Sequence, residues 1–379
     1  MAKWRYVYLE NDKVLTGDSG TYTIDLPGTG FLSSVLIKYK DTRPSFTNGV
    51  LPAFAAITKL EIVDGSRVIQ SLSGAQAQAL MFYRGQAYGN TLRSEIQSST
   101  AVDYFRLNLG LYNQDPLHML DLSRLTSPQL KITWDGTQTS VDGLTYDAGS
   151  SISAVITAVA TICDSQPAGF TDTFVQSSQI HSYTQVAGAT EYVDIPRDRP
   201  LLGILVRGAY KDKLVRDDFN KVRLNINNGE WIPFEFEDLE IEQKQAEWFG
   251  KAVNVMMKVS VKSGSYIDTG LGEVYGCSIT PLGNTPIHDQ ANTLTGGYLK
   301  VYSSDLATPS EYTTVHSVLI KASGLFPHHT FYFPMDKVVA DGKTLDVTEF
   351  KRVVLECTSS SSASSSSVPT IVAEYLEKN

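Results

Sequence analysis

The chain has 379 residues, of which 42% are hydrophobic and 19% charged, so it can bury a large core and is long enough for two domains. Its formal net charge of −9 argues against a broad phosphate-binding surface, and no direct nucleic-acid role is expected. The three cysteines are too far apart for metal-binding pairs, and no apolar run approaches the roughly 20 residues that a membrane-spanning helix needs.

The beginning of the chain combines cations with an aromatic residue. Lys3, Trp4 and Arg5 suit either an arm that packs on a neighbouring protein or a contact with a membrane interface. Beyond them, nineteen tyrosines and fifteen phenylalanines, with abundant Val, Ile and Thr, favour β structure. The first strand is predicted over 22–27, where it ends in Asp-Leu-Pro, and the next over 31–41.

A hairpin and a helix follow these strands. The segment 60–71 alternates between apolar and polar residues around an Asp-Gly dipeptide, which tolerates the positive φ angles of a tight hairpin turn. Residues 73–83 are rich in Ala, Gln, Leu and Met and predict a helix, with Ser73 as its N-cap and Gly85 as its C-terminal stop. The aromatic pair at the end of this helix is expected to hold one face against a barrel wall.

The N-terminal half closes with further β structure. A Leu-Asp-Leu-Ser turn at 120–123 precedes a strand around Leu130 and Ile132, and an apolar strand is predicted over 152–162. The segment 164–180 is polar and contains Pro and Gly, so it is predicted to be a linker.

The second half repeats these elements in the same order. Its counterparts are strands over 191–196 and 201–212, an Asn-Gly hairpin at 228–229, a helix with Asp238 as N-cap and Gly250 as stop, a Leu-Asp-Val-Thr turn at 345–348, and a closing strand over 368–376. The separation between matching residues grows from about 165 to about 225, so the second copy carries about 60 additional residues within 251–329. Such a repeated pattern indicates a tandem duplication.

The sequence therefore predicts an all-β fold of two tandem eight-stranded jelly rolls, each with a short flanking helix. The N-terminal roll is assigned to 1–163, the linker to 164–180, and the C-terminal roll to 181–379, with a large insertion of β structure and loops at about 251–329. The serine-rich run 358–367 is predicted to be an exposed loop between the last two strands.

The chemical motifs in the sequence are fragmentary. The segment 17–20 (GDSG) lacks the histidine and aspartate order of a serine protease, and 342–344 (GKT) lacks the first glycine of a phosphate loop. His328 and His329 are adjacent, and neighbours in a strand point to opposite faces, so they are not expected to share a metal. The acidic run 235–242 is interpreted as the start of a helix or as a calcium site between subunits. We assign no catalytic residue, cofactor-binding residue, metal ligand or cofactor.

The repeated pattern, and in particular segments 60–85 and 109–134, is similar to that of double jelly-roll major capsid proteins from tailless, membrane-containing icosahedral phages and related viruses. The resemblance implies a non-enzymatic protein of the virion shell, assembled in the host cytoplasm as pseudo-hexagonal homotrimers that tile an icosahedral lattice. It implies as partners the other chains of the homotrimer, neighbouring capsid trimers, penton and minor capsid proteins, and an internal membrane contacted through Lys3, Trp4 and Arg5. The insertion is the expected outward tower.

Other functions remain compatible with the β-rich sequence. A trimeric phage receptor-binding or tail protein built of β-sandwiches would share the composition but would not need two matched copies. A carbohydrate-active β-sandwich enzyme would need two carboxylates about 5–10 Å apart in a groove. A carbohydrate-binding module could stack sugars on Trp231 or Trp248, although both residues also suit a core.

Overall fold

The computed structural model describes residues 3–42, 51–85, 92–95, 100–145, 153–208, 213–250, 252–261, 266–282, 288–293, 297–304, 316–339 and 344–379. In the N-terminal half the elements are β1 (Trp4–Val14), β2 (Ser19–Asp25), β3 (Phe31–Thr42), α1 (Ala53–Ala56), β4 (Ile57–Asp64), β5 (Arg67–Leu72), α2 (Gly74–Tyr83), β6 (Leu92–Glu95), β7 (Thr100–Asn108), β8 (Leu120–Asp121), β9 (Pro128–Asp135), β10 (Ser140–Val141), β11 (Leu144–Thr145) and β12 (Ser153–Cys163).

The elements of the C-terminal half are β13 (Thr173–Ser182), β14 (Thr190–Asp194), β15 (Leu201–Arg207), α3 (Val215–Asp218), β16 (Phe219–Ile226), β17 (Trp231–Glu237), α4 (Asp238–Phe249), β18 (Val253–Val261), β19 (Tyr266–Asp268), β20 (Leu271–Pro281), β21 (His288–Thr293), β22 (Tyr298–Ser304), β23 (His316–Pro327), β24 (Thr330–Pro334), α5 (Met335–Val338), β25 (Val353–Ser359) and β26 (Thr370–Lys378).

Each half contains two layers of four strands with the same strand order. The pairing of β5 with β13 joins one layer of each roll into a single eight-stranded sheet, and the short β8 also pairs with β3. The first roll contains β1-β12-β3-β7 and β2-β9-β4-β5, and the second contains β13-β26-β15-β24 and β14-β25-β16-β17. The alternating apolar residues of facing sheets form a separate core in each roll. Within the described part of the chain, this confirms the prediction of two eight-stranded jelly rolls. A parallel contact between β5 and β13 shows that the two rolls stand the same way up.

The second roll carries extra β structure between α4 and β24. Strands β20, β23 and β18 form a sheet that β6 of the first half joins in parallel, and β19, β22 and β21 form a smaller sheet. These strands have a third apolar core of their own, which includes Val255, Met257 and Ile320. The insertion predicted in the second copy is therefore confirmed as β structure.

The repeat extends to the hydrogen bonds of its turns. Asp121 Oδ1 accepts from the backbone N of Ser123 at 3.0 Å and from its Oγ at 2.6 Å. In the second copy Asp346 Oδ1 accepts from the backbone N of Thr348 at 3.0 Å and from its Oγ1 at 2.6 Å. The two turns therefore have the same hydrogen-bond geometry at matching positions of the repeat.

The helix ends follow the predicted capping with one correction. Ser73 caps α2 in a capping box, as predicted. In α4 the N-cap is Glu237, one residue before Asp238, because the side chain of Glu240 accepts from the backbone N of Glu237 at 3.1 Å. Gly250 ends α4 in the left-handed conformation, with φ 58°. Of the two interpretations of the acidic run 235–242, the structure therefore shows the first, the start of a helix.

The sequence analysis did not predict the first strand of either roll. Residues 173–180, predicted as part of a linker, belong to β13, where Phe174 and Val175 are buried together with the polar Gln176 and Ser177. Because polar side chains are buried beside apolar ones, the strand lacks the alternation by which strands are recognised.

The predicted N-terminal arm is also a strand. Trp4 and Arg5 lie in β1, which pairs antiparallel with β12 along its length. Arg5 Nε lies 2.6 Å from Asp164 Oδ1, so this end of the chain is tied to the end of the first roll. As an edge strand, β1 exposes charged residues that disguise its pattern.

Candidate functional site: the junction of the rolls and its exposed counterparts

Helix α2 lies between the two rolls. Its Ala, Leu and Met residues are distributed over all sides of the helix, and every residue except Phe82 is buried. On the side of the second roll, Gln76 Nε2 donates to Gln179 Oε1 at 2.8 Å and to Thr370 Oγ1 at 3.0 Å. Tyr83 Oη donates to the backbone O of Thr330 at 2.5 Å. The helix therefore covers the outer face of the sheet β13-β26-β15-β24.

The covered sheet face presents one row of side chains across its four strands. Strand pairing aligns Gln179, Val372, Leu205 and Tyr332 in this row. Val372, Leu205 and Tyr332 are almost fully buried and belong to the apolar core of the first roll. One core thus continues from the first roll across α2 onto the second.

A charged group lies in the middle of this junction. Arg84 Nη2 lies 2.6 Å from Glu374 Oε2, with 12% and 2% of the two side chains exposed. The same carboxylate accepts from Tyr332 Oη at 2.6 Å and from Ser177 Oγ at 2.8 Å. Burial raises the pKa of Tyr332, so the phenol keeps the proton that it donates. The buried carboxylate is therefore fully bonded, as a charge in this position requires.

Side chains also join the backbone of one roll to the other. Gln70 Nε2 donates to the backbone O of Val175 at 2.8 Å, and Gln176 Nε2 donates to the backbone O of Val68 at 3.1 Å. These bonds run along the parallel contact of β5 and β13. These hydrogen bonds and the apolar row together join the two rolls through a continuous interface.

The two adjacent histidines lie at the same junction. They form a turn with φ of 52° and 59°, not the strand that was assumed for them. His328 Nε2 lies 2.6 Å from Gln78 Oε1, and its ring lies 4.3 Å from that of Phe54. Burial, reinforced by the Arg207 guanidinium, lowers the pKa of His329 to about 3, so this ring is neutral. Among the described residues, no group of three His, Cys, Asp or Glu side chains could hold a metal ion.

The corresponding sheet face of the first roll is exposed. Strand pairing aligns Tyr8, Val159, Leu36 and Arg106 in the row that matches the covered row of the second roll. The exposed fraction of Tyr8 is 66%, and that of Tyr6 on the same strand is 62%. Val159 and Leu36 are only partly buried. Exposed tyrosines around an apolar row are typical of a protein interface.

The corresponding face of α4 is exposed too. Gln78 Nε2 in α2 donates to a backbone O of β7, and Gln245 Nε2 in α4 donates to a backbone O of β24, the corresponding strand of its own roll, at 2.9 Å in both copies. When these glutamines are superimposed, the buried Gln76 and Ala79 of α2 match Gln243 and Ala246 of α4. The latter two are exposed, as is 61% of Leu239 on the same face.

The helix and the sheet face carry opposite charges. Helix α4 places Glu240 and Glu247 beside its exposed face. The outer sheet face of the first roll carries Lys38 and Lys40, which share Asp12 at 3.7 and 2.9 Å, and the partly buried Arg106. The two surfaces are therefore complementary in charge as well as in pattern.

The other residues that the sequence analysis considered have structural roles. Trp248 packs on Phe236 and Phe333 with ring centroids 5.9 and 6.3 Å away, and Trp231 packs on Phe350 at 5.7 Å. The segment 17–20 forms a turn leading into β2, and residues 342 and 343 lie outside the described residues. No described helix is long and apolar enough to cross a membrane.

Sequence reasoning missed Arg84 and Glu374. The signal for Glu374 was a single acidic residue inside the apolar segment 371–376, because a charge in such a strand must find a partner. The aromatic ends of the helices were expected on barrel walls. Tyr83 does lie on the sheet of the second roll, where its ring stacks on that of Tyr332 at 5.5 Å, and it also contacts Phe249, with ring centroids 4.8 Å apart.

Comparison with known proteins shows the fold. A scan of protein-family models and a search of curated proteins find no match to the chain. Among solved structures, the major capsid protein of Sulfolobus turreted icosahedral virus is similar with a TM-score of 0.56 and 11% identity, over 99% of this chain and 96% of that one. The chain has the fold of double jelly-roll capsid proteins.

Two further double jelly-roll structures support this result. The major capsid protein of bacteriophage PM2 aligns with a TM-score of 0.50 and 11% identity, over 99% of this chain and 97% of that chain. The capsid structure of the virus PBCV-1 aligns with a TM-score of 0.52 and 9% identity, over 99% of this chain and 94% of that chain.

Proposed function

We propose that the chain is a viral major capsid protein that assembles as homotrimers in an icosahedral shell. The observation that carries this proposal is the difference between the two copies of the repeat. The helix of the first roll covers the sheet of the second, whereas the helix of the second roll and the sheet of the first are both exposed. The shared fold with capsid proteins of icosahedral viruses supports the same function.

A head-to-tail contact between chains would use both exposed surfaces. Helix α4 of one chain would pack on the outer face of β1-β12-β3-β7 of the next, repeating the contact that α2 makes within the chain. Such heterologous contacts form a ring when the rotation closes. Three chains would then supply six similarly placed rolls, which is the shape needed at a sixfold lattice position. An obligate interface of this kind should bury more than about 2,000 Å².

The rest of the molecule has a place in this arrangement. We assign the first roll to 1–163 and the second to 173–379, beginning with β13, with the insertion as an outward tower at the end of the rolls opposite Lys3. The end of β1 with Lys3, Trp4 and Arg5 would face inward, toward an internal membrane. Neighbouring trimers, penton proteins and minor capsid proteins would contact the sides. In this proposal the protein acts through interfaces in the virion and catalyses no reaction. The two matched rolls favour this function over that of a tail protein or a carbohydrate-active enzyme, neither of which needs two copies.

The mass of the purified chain in solution tests the proposal. We expect a trimer of three 41.6 kDa chains by light scattering. Tyr8→Asp and Leu239→Asp each place a carboxylate in one half of the contact and should yield monomers. Val186→Asp changes an equally exposed residue, 61% accessible, on a loop outside both surfaces and should leave the trimer intact. A monomeric wild-type chain, or trimers of both contact variants, would refute the proposal.

Mixing the two contact variants tests the direction of the contact. In a heterologous interface, the Tyr8→Asp chain keeps an intact helix and the Leu239→Asp chain keeps an intact sheet face. One contact can therefore form between them, and the mixture should contain heterodimers that neither variant forms alone. A mixture that remains monomeric would contradict the head-to-tail arrangement.

A further inference from the structure

Three loops of the second roll meet at Asp218, the last residue of α3. Its backbone O accepts from Gln185 Nε2 at 2.6 Å and from the backbone N of Ser360 at 3.0 Å. Gln185 follows β13, and Ser360 lies in the serine-rich loop between β25 and β26. The backbone N of Gln185 also donates to the backbone O of Ser367 at 3.0 Å. The loops are thus fastened to one another at the end of the roll that carries the insertion.

Several buried oxygen atoms at this meeting point have no hydrogen-bond partner among the residues that the structure describes. They are both carboxylate oxygens of Asp218, Oε1 of Gln185 and Oγ of Ser367. All three side chains have an exposed fraction of 0%. Ser361, Ser362, Ser365 and Ser366 of the serine-rich run are exposed, as predicted, whereas Ser359 and Ser367 are buried. Buried polar groups in folded proteins are almost always bonded, so these oxygens call for a ligand.

The described residues offer little compensation for the Asp218 charge. Burial, together with the nearby carboxylates of Asp217 and Asp142, raises the pKa of Asp218 to about 7, although Lys213 opposes the shift. On the side of β15, a Cβ atom at Gly208 would lie 2.8 Å from Asp218 Oδ2, so the carboxylate is packed against bare backbone. An ionised carboxylate buried in this way is strongly destabilising unless a cation joins it.

We propose that Asp218, Gln185 and Ser367 bind a hard cation that locks the three loops together. Carboxylate, amide and hydroxyl oxygens are the ligands that Ca²⁺ prefers, with water filling the remaining positions. The proposed site has one carboxylate, and its other ligands are neutral oxygens. It is therefore compatible with the finding that no group of three His, Cys, Asp or Glu side chains among the described residues could hold a metal ion. The inference does not depend on trimer formation, because all its residues belong to one roll.

Thermal unfolding of the full chain tests the site. The protein is treated with a chelator and measured at pH 8, where the carboxyl is ionised, in a choline buffer with added Ca²⁺ or Na⁺. We expect the wild-type chain to gain several degrees in Tm, saturably, with at least one of the two ions. Equilibrium dialysis with the same ion should give one tightly bound ion per chain. Asp218→Asn should lose both responses.

Two further variants control the measurement. Asp194→Asn removes the same charge from a side chain that is 79% exposed, and its response should match that of the wild type. Ser367→Ala removes a single ligand and should weaken binding at least severalfold, which keeps the test valid where Asp218→Asn fails to fold. The proposal is overturned if neither ion shifts the wild-type Tm, or if Ser367→Ala binds the ion as tightly as the wild type. Asp218 would then simply be protonated.

Discussion

Removing the Arg84 charge tests how strongly the junction joins the two rolls. Arg84→Met leaves Glu374 buried, with Tyr332 and Ser177 as its remaining donors. Breaking a buried ion pair from one side costs about 3–5 kcal/mol, and we expect the lower end because two hydrogen bonds persist. In Arg84→Met/Glu374→Met neither charge remains, and the loss is limited to about 1–3 kcal/mol for each buried donor left without its acceptor. The double variant should therefore be more stable than the sum of the single losses implies.

Denaturant titration at a fixed chain concentration measures these free energies of unfolding. The matched control is Arg5→Met, which breaks the Arg5–Asp164 pair. That pair has the same 2.6 Å separation, but 47% and 45% of its side chains are exposed. It should contribute less than about 1 kcal/mol. The reasoning fails if Arg84→Met costs no more than Arg5→Met, or if the losses at Arg84 and Glu374 simply add.

Two other changes probe the packing and the acid stability of the second roll. A Cβ at Gly203 would lie 2.0 Å from Tyr332 Oη, so Gly203→Ala should lower the free energy of unfolding by about 1–3 kcal/mol in denaturant titration. The control is Gly28→Ala, which should be neutral because no atom lies within 4 Å of its Cβ. The pKa of His329 is lowered to about 3, so the stability from its neutral ring is complete above pH 6.5 and is lost as the pH falls toward 3. Between pH 6.5 and 4.5 this loss should reach about 2–3 kcal/mol. His329→Gln should flatten that slope, and an unchanged slope would contradict the assignment.

The parts of the fold that the sequence predicted are those set by local chemistry. The Asp-turns at 120–123 and 345–348 and the capping of α2 depend on residues within a few positions of one another, so their signals lie side by side in the chain. The duplication was visible for the same reason. The strands β1 and β13 were missed because distant partners decide their burial. Only pairing with β12 and β26 makes strands of these mixed polar segments.

The candidate surfaces were harder to predict than the fold. Segment 73–83 alone does not reveal that all sides of helix α2 are buried. One of these sides is covered by the sheet β13-β26-β15-β24, which is formed by residues beyond 170. The cluster around Asp218 likewise joins residues from loops near 185, 218 and 367, and none of them stands in a motif. The informative signals were contrasts with the local pattern, such as Glu374 in an apolar strand.

The difference between the two helices has a physical cause. Helix α2 meets its sheet within its own chain, so the contact forms during folding and the helix can be apolar all round. Helix α4 would meet its sheet only when another chain arrives. Until then the face with Leu239, Gln243 and Ala246 must remain soluble, which explains why charged residues flank it and apolar residues are few. In the proposed trimer, two copies of one element would thus have the compositions of a permanent and of an assembled contact.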